Sequence, residues 1–111
     1  MRPVVKRWVE ALRSGEYEQG KHFLEKDGKF CCLGVLCKIE GHYYEEGKSQ
    51  ILPEALRYKI GIKSSIGEYS LPNEEFNSLT ELNDNGYDFE SIANFIEKNE
   101  DELFREGEGY D

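Results

Sequence analysis

An uncharged octet, Phe-Cys-Cys-Leu-Gly-Val-Leu-Cys at residues 30–37, stands in a chain in which 33% of residues are charged. Leaving this much apolar surface in water would cost roughly 25 cal/mol per Å². The octet must therefore lie in the interior, and the rest of the chain must be arranged to cover it. We call this stretch the cysteine octet, because three of its residues are cysteines. The sequence alone does not tell whether these thiols only pack in the core or also take part in chemistry.

A chain of 111 residues is close to the common size of one domain. Seven Tyr, six Phe and one Trp supply enough apolar area for a core, although hydrophobic residues are only 38% of the chain. We therefore predict a single globular domain over residues 1–105. The acidic residues 106–111 are predicted to form a disordered tail.

The net charge of −9 is unevenly distributed along the sequence. Residues 1–73 carry 12 Lys and Arg against 10 Asp and Glu, or +2, whereas residues 74–111 carry 2 against 13, or −11. An acidic segment repels the phosphates of nucleic acids and anionic membranes and attracts basic surfaces. The sequence therefore predicts no nucleic-acid partner and no membrane partner.

The N-terminal residues 1–7 lack the apolar region of a secretory signal, and no apolar run approaches the length of a bilayer span. The three cysteines are odd in number and fall within seven positions, which fits reduced thiols better than a disulfide framework. These features predict a cytoplasmic protein.

Apolar spacing after Pro3 predicts a helix over residues 3–14 with Trp8 as a core anchor. Asp27-Gly28 is a strong turn signal and predicts a hairpin that places Glu25 opposite Phe30 and Leu24 opposite Cys31. Residues 32–40 are predicted to form a short buried helix, with a continuing strand as the alternative. Gly34 inside that helix implies that a neighbouring segment packs closely against it.

Further helices are predicted from Leu52-Pro53 to Ile60 and from a capping box at Ser78–Glu81, although Phe76 suggests a start near Glu74. Residues 67–71 are predicted as a weak strand. Asp88 should cap a longer helix whose apolar stripe continues to Leu103. The predicted fold class is α+β and mainly helical, with about four to five short helices around a β-hairpin and a buried cysteine-rich helix.

Two kinds of chemistry are conceivable for the cysteine octet. Cys31 or Cys32 at a helix start would be favoured as a thiolate, and His22 and His42 are the histidines available as a base, so a cysteine-dependent hydrolase is one alternative. A metal site would need the three cysteines and one histidine, but adjacent cysteines diverge and no C-x-x-C pair is present. We predict no catalytic residue, no metal ligand and no cofactor.

A resemblance to known proteins rests on four segments of the sequence: RWVEALRSGEYEQG at 7–20, FCCLGVLC at 30–37, TELNDNG at 80–86 and FESIANFIE at 89–97. Together they make the chain similar, over about residues 5–98, to a group of short phage and prophage proteins. The resemblance implies an accessory protein that acts in the cytoplasm of a bacterial host.

These motifs add a small set of polar residues to an otherwise generic helical domain: Arg13, Tyr17, Gln19, Gly20, Asn83 and Asp84. Their guanidinium, aromatic, amide and carboxylate groups could contact a phosphate, a base edge and a ribose. By analogy with small phage proteins, we expect an anti-defence protein that sequesters a nucleotide-like host immune signal without turnover. The alternative is an acidic protein inhibitor or DNA mimic that binds a host protein through residues 74–111. Homo-oligomerisation stays open.

Overall fold

The computed structural model describes residues 1–109 and shows an α+β fold that is mainly helical, which confirms the predicted class. No helix in this range is both long and apolar enough to cross a bilayer. The elements in chain order are α1 (Pro3–Arg13), β1 (Glu18–Gln19), β2 (Glu25–Lys26), β3 (Lys29–Phe30), α2 (Cys32–Ile39), α3 (Glu54–Ile60), α4 (Leu79–Asp84), α5 (Phe89–Lys98) and α6 (Glu100–Leu103).

Helix α1 is the central packing element, since it lies against both α5 and α2. Its apolar face is buried, as the sequence predicted, and Trp8 is completely inaccessible to solvent. The indole Nε1 of Trp8 donates a hydrogen bond of 2.9 Å to the carbonyl oxygen of Cys32. Because a buried indole N–H needs an acceptor, this bond fixes α1 against the start of α2.

The hairpin has the predicted register, with Glu25 opposite Phe30 in antiparallel pairing. Asp27 and Gly28 both have positive φ, at 54° and 79°, as a type I′ turn requires. The third strand, β1, pairs with β3 in parallel and completes a sheet of order β1-β3-β2. The sequence predicted no strand at β1, because a parallel two-residue strand has no local signal.

Residues 32–39 form a helix, so the alternative of a continuing strand is wrong. Cys31 occupies the N-cap position, and its backbone N–H donates to the carbonyl oxygen of Leu24 at 3.2 Å. The same carbonyl lies against Gly34, where an added Cβ would come within 1.8 Å of its oxygen. The close approach inferred from Gly34 is therefore confirmed.

Helix α4 begins at Leu79 with the Ser78 side chain as its cap, which confirms the capping box, and the alternative start near Glu74 is wrong. The predicted end of the following helix is also wrong. The helix capped by Asp88 ends at Lys98, because Asn99 leaves helical geometry at φ −121° and ψ 27° and its side chain bonds back to the Phe95 carbonyl. The expected strand at residues 67–71 is reduced to an isolated bridge between Glu68 and Ser78.

The described end of the chain lies against its beginning. Val4 N donates to the Gly109 carbonyl at 3.5 Å, and the Arg2 Nε donates to the Glu108 carbonyl at 2.6 Å. The division into a domain at 1–105 and a disordered tail at 106–111 stays a prediction, and residues 110–111 of that tail lie outside the described residues.

Candidate functional site

Gln19 and Gly20, two of the residues predicted to bind ligand, form hydrogen bonds to the side chain of a third, Asn83, which is only 1% exposed. Its Oδ1 accepts hydrogen bonds from Gln19 Nε2 at 2.9 Å and from the backbone N–H of Cys32 at 3.2 Å. Its Nδ2 donates to the Gly20 carbonyl at 2.8 Å. We call these four residues the Asn83 network; it ties α4 to the start of α2 and to the end of β1.

Asp84 extends the Asn83 network toward the surface. Its carboxylate accepts hydrogen bonds from Gln50 Nε2, at 3.0 and 2.9 Å, and from the backbone N–H of His22 at 3.1 Å. The His22 Nδ1 lies 3.4 Å from Asp84 Oδ2. Sequence reasoning missed Gln50 and His22 as neighbours of Asp84, because no local pattern connects positions so far apart.

The other two predicted residues lie in different settings. The ring of Tyr17 packs edge-on against Phe30, with centroids 5.4 Å apart. The Arg13 guanidinium bonds to Asn94 Oδ1 at 2.6 Å and pairs with Glu97 and Glu90 at 3.3 and 3.6 Å, all on α5. Within residues 1–109, its hydrogen bonds and ion pairs involve none of the other five predicted positions. A ligand role for the six residues stays a prediction.

We expect Asn83→Ala to lower the free energy of unfolding by about 2 to 4 kcal/mol, because it removes buried hydrogen bonds and leaves the Cys32 N–H and Gly20 carbonyl without their side-chain partner. Urea unfolding followed by circular dichroism would measure this loss. The matched control is Asn85→Ala, whose side chain makes one exposed bond to the Glu81 carbonyl. A loss no greater than that of the control would contradict the structural role of Asn83.

The three thiols of the cysteine octet are buried and reduced. Burial is the largest cause that raises the pKa of Cys31 to about 11 and that of Cys37 to about 12, and it raises the pKa of Cys32 well above its ordinary value. Because the thiolate is the nucleophile and the metal ligand, these environments disfavour both reactions near neutral pH. In residues 1–109, no group of three or more His, Cys, Asp and Glu side chains is placed to hold a metal ion.

A basic cavity of about 230 Å³ lies beside the hairpin and is lined by Gly20, Lys21, Phe23, Lys26, Asp27 and Lys29. We call it the lysine pocket. Lys26 and Lys29 are directly opposite each other in the hairpin, and Lys26 Nζ lies 4.8 Å from the centroid of the Phe23 ring. Within the described range, none of the three lysines forms an ion pair with a carboxylate.

A larger cavity, of about 460 Å³, lies beside the loop between α2 and α3. Leu24, Tyr44 and Pro53 line it, and two exposed apolar side chains, Tyr43 and Ile51, lie at its edge. The neighbouring cavity contains Cys37 and His42, together with Glu25 and Glu46. Tyr44, which lines both cavities, donates a hydrogen bond from its hydroxyl to the Glu25 carboxylate.

The fold and these sites define a small α+β protein with a buried thiol helix and a basic pocket at a hairpin. Residues 1–61 match the family described as a domain of unknown function, DUF8296, so the chain belongs to that family. The match ends at the C-cap of α3 and includes every residue of the lysine pocket, whereas Asn83 and Asp84 lie beyond it. Comparisons with curated proteins and with solved structures found no match.

Proposed function

We propose that the protein binds a phosphate-bearing, nucleotide-like ligand in the lysine pocket and holds it without turnover. The observation that carries the proposal is the pairing of Lys26 directly opposite Lys29. Like charges directly opposite in a sheet are destabilising, by roughly 0.2 to 1 kcal/mol. A bound phosphate between the two ammonium groups would turn this repulsion into two charge-assisted hydrogen bonds.

The composition of the pocket favours phosphate joined to a planar or sugar group. Lys21 adds a third cation, and Phe23 offers a ring next to the paired lysines. At Gly20, an added Cβ would lie 2.8 Å from the Cβ of Lys29, so the backbone approaches the lysine strand closely there. A cavity of about 230 Å³ is smaller than a typical drug-sized site, which suits one phosphate or ribose group with the rest of the ligand outside.

Binding without turnover is supported by the state of the thiols. A cysteine hydrolase needs a thiolate within reach of substrate and base, whereas burial raises the pKa of Cys31 to about 11 and leaves its side chain inaccessible. His22, which faces Asp84, is largely exposed. The resemblance to short phage proteins supports the biological setting that we propose, an anti-defence protein in a bacterial host that withholds a nucleotide immune signal.

The alternative of an acidic inhibitor or DNA mimic has less support. Several carboxylates of residues 74–111 are engaged within the molecule, since Glu90 and Glu97 pair with Arg13 and Glu100 and Asp101 pair with Arg2. Charges neutralised in this way contribute less to the field that would attract a basic partner.

The variant Lys26→Glu is expected to abolish ligand binding without lowering the stability of the ligand-free protein. We expect ADP-ribose or a cyclic dinucleotide to raise the melting temperature of the wild type, by an amount that grows with the logarithm of ligand concentration above the dissociation constant, as mass action requires. In Lys26→Glu the ligand-dependent shift should disappear. The ligand-free variant should be as stable as the wild type or more stable, by up to about 1 kcal/mol, because the introduced carboxylate would face Lys29 with opposite charge.

The matched control is Lys6→Glu, which makes the same charge change on the exposed side of α1 and outside the pocket. It should keep the ligand-dependent shift. Differential scanning fluorimetry with ADP-ribose, cyclic dinucleotides, ATP and inorganic phosphate provides the measurement. A panel that shifts nothing, or a shift that survives Lys26→Glu, would remove the lysine pocket as the site.

A further inference from the structure

We propose that a second surface, centred on Arg57, Tyr58 and Arg105, binds an acidic segment of a partner protein. We call these three residues the Arg–Tyr cluster. The guanidinium carbons of Arg57 and Arg105 lie 5.3 and 5.2 Å from the centroid of the Tyr58 ring. Tyr58 is 55% exposed, so an aromatic ring bordered by two guanidinium groups lies at the surface.

Arg57 is the unusual member of the cluster. The guanidinium groups of Arg2, Arg7, Arg13 and Arg105 each pair with a carboxylate, whereas Arg57 pairs with none in the described part of the chain. Its Nε is also buried without a hydrogen-bond acceptor. Arg57 as a whole is only partly buried, so an external anion can reach the part of its guanidinium group that is open to solvent, although not Nε itself.

The segment that follows Glu54 is basic. It has no acidic residue before Glu68 and carries Lys59 and Lys63 in addition to Arg57. The acidic residues near the cluster in the chain are Glu54, one helical turn before Arg57, and Glu106 and Glu108, which follow Arg105. Glu108 pairs with Arg105 at 3.4 Å, and no carboxylate in the described part of the chain pairs with Arg57, so Arg57 is the cation of the cluster to which an anionic partner can bind.

The chemistry of the cluster favours protein carboxylates over nucleic acid. Arginine and tyrosine are the residue types enriched among those that dominate binding energy at protein interfaces, and guanidinium groups bind carboxylates in a bidentate manner. A long polyanion would also meet the field of residues 74–111, which carry a charge of −11. A short acidic segment with an apolar or aromatic neighbour fits both the charges and the Tyr58 ring.

The test uses the full chain and a fluorescein-labelled peptide of six glutamates, with fluorescence anisotropy as the readout. We expect saturable binding that weakens as salt rises, and no binding of the matching peptide of six glutamines. Arg57→Ala should raise the dissociation constant about tenfold. Arg57→Lys keeps the charge but not the planar fork, so it should also weaken binding, and it covers the case in which the alanine variant does not fold.

Lys26→Ala is the control, because it removes one cation from the lysine pocket and should leave peptide binding unchanged. Peptide binding that depends on Lys26 and not on Arg57 would overturn the proposal. So would a six-nucleotide single strand that binds at Arg57 more tightly than the acidic peptide. A nucleotide ligand that fails at the lysine pocket does not affect this outcome, because the two sites are tested by different variants and probes.

Discussion

Gly34→Ala should lower the free energy of unfolding by at least about 3 kcal/mol, and the variant should unfold at much lower urea concentration than the wild type. The new Cβ would lie 1.8 Å from the carbonyl oxygen of Leu24 and 2.6 Å from its carbon. Both are backbone atoms, so no rotation of a side chain relieves the overlap. Shifting them would also break the hydrogen bond from Cys31 N–H to the same oxygen.

Alanine is favoured over glycine inside a helix by about 1 kcal/mol, so the helical preference opposes the expected effect and cannot produce it. The matched control is Gly41→Ala, at a position with φ +65° and no other atom within 4 Å of the added Cβ. That variant should lose only about 1 to 2 kcal/mol, from backbone strain alone. Equal losses in the two variants would contradict the close contact between Gly34 and the backbone of Leu24.

Arg2→Ala should cost about 3 kcal/mol of stability, because it removes one partner of a buried ion pair. The Arg2 side chain is 4% exposed, and its Nη1 lies 2.8 Å from Glu100, which is 16% exposed. Its Nε donates to the Glu108 carbonyl, and its guanidinium lies 5.5 Å from the centroid of the Phe104 ring. The substitution would leave the Glu100 carboxylate without this cation and would release the described end of the chain from α1.

Thermal and urea unfolding of Arg2→Ala should be compared with Arg13→Ala, in which the lost ion pairs join partly exposed residues. The Arg13 variant should lose about 1 kcal/mol, and its loss should shrink as salt rises. The Arg2 effect should depend less on salt, since a buried pair is screened less. If both variants lose the same small amount, the contact between the two chain ends contributes little.

The elements that could be read from the sequence have their causes close together in the chain. Asp27-Gly28 set the hairpin register through positive φ, and the side chains of Ser78 and Asp88 each cap the helix that follows. The break at Asn99 could not be read, because the apolar stripe continues to Leu103 across it. A periodic pattern reports which side chains are buried and not whether the backbone between them is one helix or two.

The candidate site shows the same division. The motifs singled out Gln19, Gly20, Asn83 and Asp84, and the structure brings them together, but as partners of one another and of Gln50 and the Cys32 backbone. Arg13 lies in the same sequence motif as Gln19 and Gly20, and yet its side chain bonds to α5. The lysine pocket could have been suspected from the hairpin register, since pairing Glu25 with Phe30 also pairs Lys26 with Lys29.

The sequence by itself determined that the cysteine octet is interior, that a hairpin precedes it, and that amphipathic helices cover it. These properties follow from hydrophobic burial and from backbone preferences that act over a few residues. Only the tertiary structure decided that β1 joins β3 in parallel, that Asn83 holds the Cys32 N–H, and that Arg57 is left without a carboxylate among the described residues. Those outcomes depend on which distant groups reach hydrogen-bonding distance, and packing of the whole chain is what sets that distance.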